Sequence, residues 1–278
     1  MTDPYGALDG MAKLGSTAEV QSSLMRDLCL EVGLLGLATR GVLGGITART
    51  EQVFSQASED GCIAYIFEKI GARNRRFIEI GVGDGCENST RLLLLQGWTG
   101  LWMEADPVEA RKLRNNFAAE IATGQLRVVE QIITAENVRS LITEQDSQVD
   151  LLSVDIDMNT YYVWEALANV DARVVCIEYN ASFPPSVDFV VPYDPNSSWS
   201  RTNWFGASLK ALDRLANSKS MSLVGCDFFG INAYFVADSE AGAVSPGPYT
   251  PEHHHQPPRY NLLQKRGHPP APPSISRK

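Results

Sequence analysis

The stretch that decides the fold reads FIEIGVGDG and covers residues 77–85. It begins as a short apolar run, and glycines follow at positions 81, 83 and 85. Glycine lets a chain turn sharply off a strand and brings bare backbone close to a ligand at the carboxyl edge of a parallel sheet. The stretch therefore predicts a first strand that ends in a ligand-binding turn.

Outward from this stretch, short apolar runs alternate with amphipathic segments, as in βαβ units of a sheet buried on both faces. The last two apolar runs are separated only by residues 226–232, too few for a helical crossover, so they should form an antiparallel hairpin. The predicted fold is α/β, a Rossmann-like seven-stranded sheet that resembles class I methyltransferases. The predicted strands are 77–80, 100–104, 126–129, 151–155, 174–178, 222–225 and 233–236. The predicted helices are 63–70, 89–96, 107–120, 161–167 and 207–216.

Three zones of different texture give the predicted domains. Residues 1–60 look helical and predict an arm or a cap over the core. Residues 61–240 hold the catalytic domain. Residues 241–278 are rich in proline, which resists helix and sheet, and predict a flexible tail that is mobile or draped over the surface.

Composition and charge exclude several classes of protein. The net charge of −9 repels phosphate backbones, so we expect no nucleic acid as partner. The apolar stretch near residues 24–43 is interrupted by charges and too short for a membrane span, so we expect no membrane partner. A role of the basic residues after 240 at nucleic acid or an acidic membrane stays open as the alternative to a solvated end. The five cysteines form no C-x-x-C pair, which favours reduced thiols in a cytoplasmic protein. The first residues carry no basic, apolar secretory signal.

Two carboxylates separate the candidate cofactors. Glu79 lies two residues before the first glycine, where it suits the ammonium of a bound amino acid rather than a dinucleotide. Glu104 ends the second strand about 20 residues further on, as expected of an acid that accepts hydrogen bonds from ribose hydroxyls. Asp106 could take this role in its place. In the competing interpretation, Glu104 is an ordinary acid at the end of a strand. The segment 86–88, with Asn88 as a further predicted cofactor contact, does not resemble the helix entry that cradles a pyrophosphate. The pattern favours S-adenosylmethionine over NAD.

An ordered set of motifs resembles the FkbM-like branch of S-adenosylmethionine-dependent methyltransferases. The motifs are SQASEDG at 55–61, EIGVGDGCENST at 79–90, GWTGLW at 97–102, SVDIDMN at 153–159, IEYN at 177–180, VPYD at 191–194 and GASL at 206–209. The resemblance implies O-methylation of a sugar or a natural-product hydroxyl. It also implies a site in which Asp155 faces the reaction centre and the cofactor is bound by Glu79, Gly81, Gly83, Gly85 and Glu104. Met158 departs from the glycine that is more usual there.

Carboxylates must do the acid–base work, because all four histidines lie at or beyond residue 253. Asp155 and Asp157 end the fourth predicted strand, and Glu178 and Asn180 end the fifth. Asp155, Glu178 and Asn180 could together hold one magnesium ion, which would activate a hydroxyl. In the other interpretation no metal binds and Asp155 contacts cofactor or acceptor directly.

The segment 191–206 mixes aromatic and polar residues over a span that predicts a substrate loop. Tyr193 is a candidate hydrogen-bond donor to the acceptor and Trp199 a candidate stacking platform, with packing on the sheet as the alternative for each. The expected partner is a small-molecule acceptor, and a homodimer stays open. Two other functions stay open as well: cyclisation of the cofactor, and non-catalytic binding on the same fold.

Overall fold

A computed structural model describes the backbone of residues 4–39 and 45–263, and the side chains from residue 20 onward within these ranges. The chain divides into two compact units between Gly44 and Gly45. The first contains helix α1 (Pro4–Thr39), so the predicted N-terminal helix is present. The predicted domain boundary at residue 60 is displaced, because Ile46 already lies in the core of the second unit and the Thr47 hydroxyl donates to the Cys226 carbonyl at 2.9 Å.

The second unit is built on a seven-stranded sheet. Its strands are β1 (Arg76–Ile80), β2 (Thr99–Glu104), β3 (Leu126–Glu130), β4 (Gln148–Val154), β5 (Asp171–Glu178), β6 (Met221–Cys226) and β7 (Asn232–Ala237). They lie in the order β3-β2-β1-β4-β5-β7-β6. The first five strands are parallel, while β7 is antiparallel to both β5 and β6. The fold is therefore the predicted Rossmann-like one of class I methyltransferases, with its closing hairpin.

Alternating side chains of the central strands feed two apolar layers. Ile78, Leu152 and Val175 belong to one buried cluster, while Phe77 and Leu151, their neighbours along the strands, belong to the other. Because both faces are covered, these strands read as continuous apolar runs in the sequence. That is why each strand was predicted to within three residues at its ends.

The helices that cover the sheet are α2 (Glu59–Ile70), α3 (Arg91–Leu95), α4 (Pro107–Asn116), α5 (Ala118–Ala122), α6 (Val138–Leu141), α7 (Thr160–Ala166), α8 (Leu209–Ser218), α9 (Asp238–Val244) and α10 (Pro251–His254). The predicted helix 107–120 is interrupted at Phe117, which ends α4 and precedes α5. Helix α3 starts two residues later than predicted because the backbone amides of Ser89 and Thr90 donate to the Glu79 carboxylate. Within the described ranges, no helix combines the length and the hydropathy that a membrane span requires.

The proline-rich segment is draped over the body as far as residue 263. The Tyr179 hydroxyl donates to the Gln256 carbonyl at 2.7 Å, and the Arg259 amide donates to the Phe229 carbonyl at 2.8 Å. His254 is buried. Of the two predicted alternatives, residues 241–263 follow the one that is draped over the surface, because their backbone groups find partners just after β5 and in the β6–β7 hairpin. Residues 264–278 lie outside the described part of the chain.

The amino edge of the sheet is held by a buried ion pair. Arg173 on β5 contacts the Asp150 carboxylate on β4 at 2.6 Å, and Asp150 is fully buried. The same carboxylate accepts hydrogen bonds from the backbone amides of residues 73–75, which lead into β1. This pair fixes the start of β1 and leaves the opposite, carboxyl edge for the site.

Candidate active site

Two clefts open at the carboxyl edge of β1, β2 and β4. The first cleft, of about 500 Å³, lies between the loop after β1 and residues 56–59. The second cleft, of about 370 Å³, is lined by Glu104, Ile133 and Trp199 among others. Both clefts are lined by Gly81, Gly83 and Asp155. One elongated ligand could therefore cross the loop after β1 from the first cleft into the second.

Close contacts require glycine at two positions of residues 81–85, the loop after β1 that we term the glycine loop. Gly81 has φ +87°, and a Cβ there would lie 1.8 Å from the Asp155 carbonyl oxygen. At Gly85, with φ +75°, a Cβ would lie 2.7 Å from the Phe117 ring. Gly83 also has positive φ, but a Cβ there would meet nothing within 4 Å. Gly81 and Gly85 are thus required by packing, while Gly83 leaves the backbone open toward both clefts.

Glu79 is buried and serves the loop itself. Its carboxylate accepts hydrogen bonds from the Asn88 amide at 2.8 Å, from the backbone amides of Ser89 and Thr90, and from the Thr90 hydroxyl at 2.5 Å. Burial raises its pKa to about 7. The structure therefore gives Glu79 and Asn88 a role that the sequence did not predict, since together they shape the turn that forms the wall of the first cleft.

Glu104 and Asp106 differ in what they contact. Glu104 lies in the second cleft, accepts from the Gly83 amide at 2.6 Å and from the Asp106 amide at 2.7 Å, and thereby ties the end of β2 to the glycine loop. Asp106 caps helix α4 by accepting from the backbone amides of Val108 and Glu109. Asp106 lines neither cleft. Its predicted role as a substitute for Glu104 is therefore not supported by its position.

Three carboxylates meet where β4 and β5 end. Oxygens of Asp155, Asp157 and Glu178, which we term the carboxylate cluster, all lie within 4.8 Å of one another. Burial, and then repulsion by Asp157, raise the pKa of Asp155 to about 6, and burial also raises the pKa of Asp157. Burial and the two aspartates hold the pKa of Glu178 well above its usual range. Hydrogen bonding between the two residues lowers the pKa of Asp155 and raises the pKa of Glu178.

Asn180 and Tyr193 do not join this cluster. The Asn180 amide donates to the Asn203 and Phe205 carbonyls at 2.8 and 3.0 Å, and its oxygen accepts from the Ser182 amide. Asn180 thus anchors the 203–205 loop, and the third oxygen-bearing side chain of the cluster is Asp157 rather than Asn180. The Tyr193 hydroxyl donates to Glu136 and accepts from the Ala135 amide, and Tyr193 lines neither cleft. Its predicted catalytic role is not supported by this position.

The SQASEDG motif contributes residues that its spacing did not reveal. The Asp60 carboxylate accepts from three consecutive backbone amides, those of residues 53–55, and so folds this segment against the start of α2. That fold places Glu59 in the first cleft, 2% exposed. The sequence alone does not reveal this role of Glu59, because an acid at a helix N-terminus commonly serves only to stabilise the helix.

The folded-back tail brings one of its histidines against the rest of the second unit. The His255 Nε2 atom lies 3.3 Å from the Ala181 carbonyl oxygen, just beyond β5. His255 lines neither of the two clefts. From the predicted substrate loop, Trp199 reaches the second cleft.

The first cleft is strongly acidic. Six carboxylates line it, Glu59, Glu79, Asp84, Glu87, Glu109 and Asp155, and the described lining includes no lysine, arginine or histidine. A ligand group that fits such a wall carries positive charge, while a pyrophosphate would be repelled.

Comparison with known proteins adds a statement about the fold. No protein family and no curated protein matches the sequence. Among solved structures, the N-terminal domain of EvdMO1 with SAH bound is 14% identical, with a TM-score of 0.42 over 66% of this chain and 80% of that chain. An S-adenosylmethionine-dependent methyltransferase from Clostridium acetobutylicum ATCC 824 is 11% identical, with a TM-score of 0.39 over 63% and 89%. The glycopeptide N-methyltransferase MtfA complexed with S-adenosyl-L-methionine is 10% identical, with a TM-score of 0.37 over 63% and 86%. The second and third of these are named as methyltransferases and the first has SAH bound; at such identities the likeness concerns the fold alone.

Proposed function

We propose that this chain is an S-adenosylmethionine-dependent O-methyltransferase of the FkbM-like branch that acts on a hydroxyl of a small molecule, a sugar or a natural product. The observation that carries the proposal is the pair of joined clefts, one acidic and one containing Glu104. S-adenosylmethionine has cationic sulfonium and ammonium groups at one end and a ribose with two hydroxyls at the other. NAD presents a pyrophosphate where this site presents carboxylates.

In this assignment the second cleft holds the adenosine. The Glu104 carboxylate accepts the ribose hydroxyls, and Ile133 and Met103 supply apolar surface for the base. The first cleft then receives the amino-acid part. The sulfonium lies between them, beside Gly81, Gly83 and Asp155, which are the residues common to both clefts.

Methyl transfer is an in-line displacement at the methyl carbon, so the enzyme mainly holds the acceptor oxygen on the sulfur–carbon axis. The acceptor hydroxyl must also lose its proton. Asp155, with a pKa of about 6, is ionised at neutral pH yet basic enough to take that proton. Burial and then the charge of Asp157 raise the pKa of Asp155 to this value, while the hydrogen bonding of Glu178 lowers it.

The carboxylate cluster also fits a magnesium ion. Its donors are hard oxygens, which magnesium prefers, and the Glu178 Oε2 atom is buried without a hydrogen-bond partner. Asp155, Asp157 and Glu178 would hold the ion, which when bound would lower the pKa of the acceptor hydroxyl.

Trp199 offers a stacking surface for a ring, either the adenine that this assignment places in the second cleft or a sugar or aromatic ring of the acceptor at its mouth. It is exposed, lines the second cleft, and is held by a hydrogen bond from its indole nitrogen to the Thr202 carbonyl at 2.7 Å. An exposed aromatic face at the mouth of a cleft offers a ring a stacking surface. A cytoplasmic location forms part of the same proposal.

The test is calorimetric titration with S-adenosylmethionine, S-adenosylhomocysteine and NAD, with and without magnesium, followed by methyl transfer from labelled cofactor to a panel of sugars and hydroxylated natural products. Both sulfur compounds should bind and NAD should not. Asp155→Asn should lose turnover while keeping S-adenosylhomocysteine affinity, and Asp188→Asn, the same charge change at an exposed ion pair, should keep both. Binding of NAD, or of neither sulfur compound, would overturn the proposal.

A further inference from the structure

Glu79 lines the first cleft, but its carboxylate is already hydrogen-bonded within the loop after β1. Its two oxygens already accept four hydrogen bonds, all from Asn88, Ser89 and Thr90. Three of these bonds fall on Oε2 and one, from the Ser89 amide, falls on Oε1, so Glu79 has at most one acceptor position left for an ammonium group. If the amino-acid part of the cofactor lies in this cleft, a less occupied carboxylate is the better partner for its ammonium.

Glu59 has the position and the free capacity. It lines the same cleft but comes from the start of α2, opposite the glycine loop. One oxygen accepts from the Ala57 amide and the other from the Asn232 amide, each at 2.8 Å. These two bonds fix the carboxylate and leave each oxygen able to accept another. Within the described part of the chain, no lysine, arginine or histidine forms an ion pair with it.

The other acids of the first cleft are less suited. Glu109 is paired with Lys112 at 2.7 Å, the Asp84 carboxylate accepts from the Cys86 amide, and Glu87 is exposed at the rim. Asp155 belongs to the carboxylate cluster. Of the buried acids in this lining, Glu59 has the most acceptor capacity left, and no ion pair among the described residues involves it.

We infer that Glu59 is a cofactor-binding residue whose carboxylate receives the ammonium group of the S-adenosylmethionine amino-acid part. The inference rests on the proposed function and deepens it. Burial and the charge of Asp227 raise the pKa of Glu59 to about 8, and an ammonium partner supplies the counter-charge that the protein lacks there. The SQASEDG segment thereby becomes the second wall of the cofactor site.

The experiment compares two ligands on three proteins. The ligands are S-adenosylhomocysteine and 5′-methylthioadenosine, which keeps the adenosine and lacks the amino acid. The proteins are the full chain, Glu59→Gln, and Glu68→Gln as control, because Glu68 lies on the same helix, is exposed, and gives the same change of charge. Calorimetry gives the affinities, and circular dichroism verifies folding.

Glu59→Gln should weaken S-adenosylhomocysteine binding by roughly 10- to 100-fold, the range for a hydrogen bond to a charged group, and leave 5′-methylthioadenosine unchanged. Glu68→Gln should change neither. Equal loss of both ligands, or no loss of either, would overturn the inference and leave the proposed function standing. Failure of the unaltered chain to bind S-adenosylhomocysteine would remove the proposed function, and the inference with it. Should Glu59→Gln not fold, Glu59→Asp retains the charge on a shorter side chain, and the same selective loss is expected.

Discussion

Replacement of Gly81 by alanine tests the crossing of the glycine loop over β4. Gly81 has φ +87°, and its added Cβ would lie 1.8 Å from the Asp155 carbonyl oxygen, a backbone atom that no side-chain rotation can move away. Gly97 is a matched control, since its φ is +85° and a Cβ there would meet nothing within 4 Å. Both substitutions therefore place alanine in a left-handed backbone conformation, but only Gly81→Ala also brings the new Cβ into contact with another backbone atom.

The magnitude follows from these distances. Alanine in the left-handed region costs about 1–2 kcal/mol, which is the whole penalty at Gly97. At Gly81 the two backbones must separate by more than about 1 Å to reach a normal contact. That movement breaks the hydrogen bonds from the Gly81 amide to Met103 and from the Asp155 amide to Ile80, each worth about 1 kcal/mol. Gly81→Ala should thus lose about 2 kcal/mol more than Gly97→Ala.

Urea unfolding followed by circular dichroism measures both variants against the unaltered chain. The smaller conformational entropy of an unfolded chain with alanine offsets both losses equally, so the difference between the variants is the quantity to compare. Gly81→Ala should also lose affinity for S-adenosylhomocysteine, while Gly97→Ala should keep it. A difference in unfolding free energy under about 0.5 kcal/mol, within the scatter of such measurements, would refute the close crossing.

Asp106→Ala should cost about 1 kcal/mol in urea unfolding by removing the cap of α4, with unchanged S-adenosylhomocysteine affinity; a large loss of affinity would restore Asp106 to the cofactor site. Asp150→Ala should cost about 3–5 kcal/mol, because it removes one of the two carboxylates paired with the buried Arg173 and leaves the backbone amides of residues 73–75 without their acceptor; a loss near zero would contradict this network. Tyr193→Phe should leave the methyl-transfer rate unchanged, and a marked fall would reinstate it as catalytic. Glu59 has a pKa of about 8 against an ordinary value of 4.5, so its contribution to stability is present below pH 4.5 and lost as the pH rises toward 8. Unfolding measured across that range should show this loss in the unaltered chain and not in Glu59→Gln; parallel curves would contradict the raised value. The acids and thiols that face Glu59 are Asp60, Asp227, Cys62 and Cys176. Both proteins contain these groups, so the difference between the two curves reports on Glu59.

The strands and the closing hairpin could be predicted because their signals are local. A strand buried on both faces must be a continuous apolar run, and a connection as short as 226–232 cannot hold a crossover helix. The helix ends were less accessible. The start of α3 depends on Ser89 and Thr90, which donate to a carboxylate on β1, and this competition is invisible in the sequence of the helix itself.

The sequence by itself determined the parallel sheet, the glycine turn after β1 and the strand ends that carry Glu104, Asp155 and Glu178, because each follows from residue type and spacing along a few residues. Only the tertiary structure decided the use of each polar side chain. In the fold, Glu79 hydrogen-bonds the glycine loop, Asp106 caps a helix and Asn180 hydrogen-bonds a loop distant in sequence. Glu59 lines the first cleft although it belongs to a segment that precedes the sheet. The physical reason is that a buried carboxylate or amide hydrogen-bonds the groups that the fold places beside it. Those groups often come from parts of the chain that are far apart in sequence.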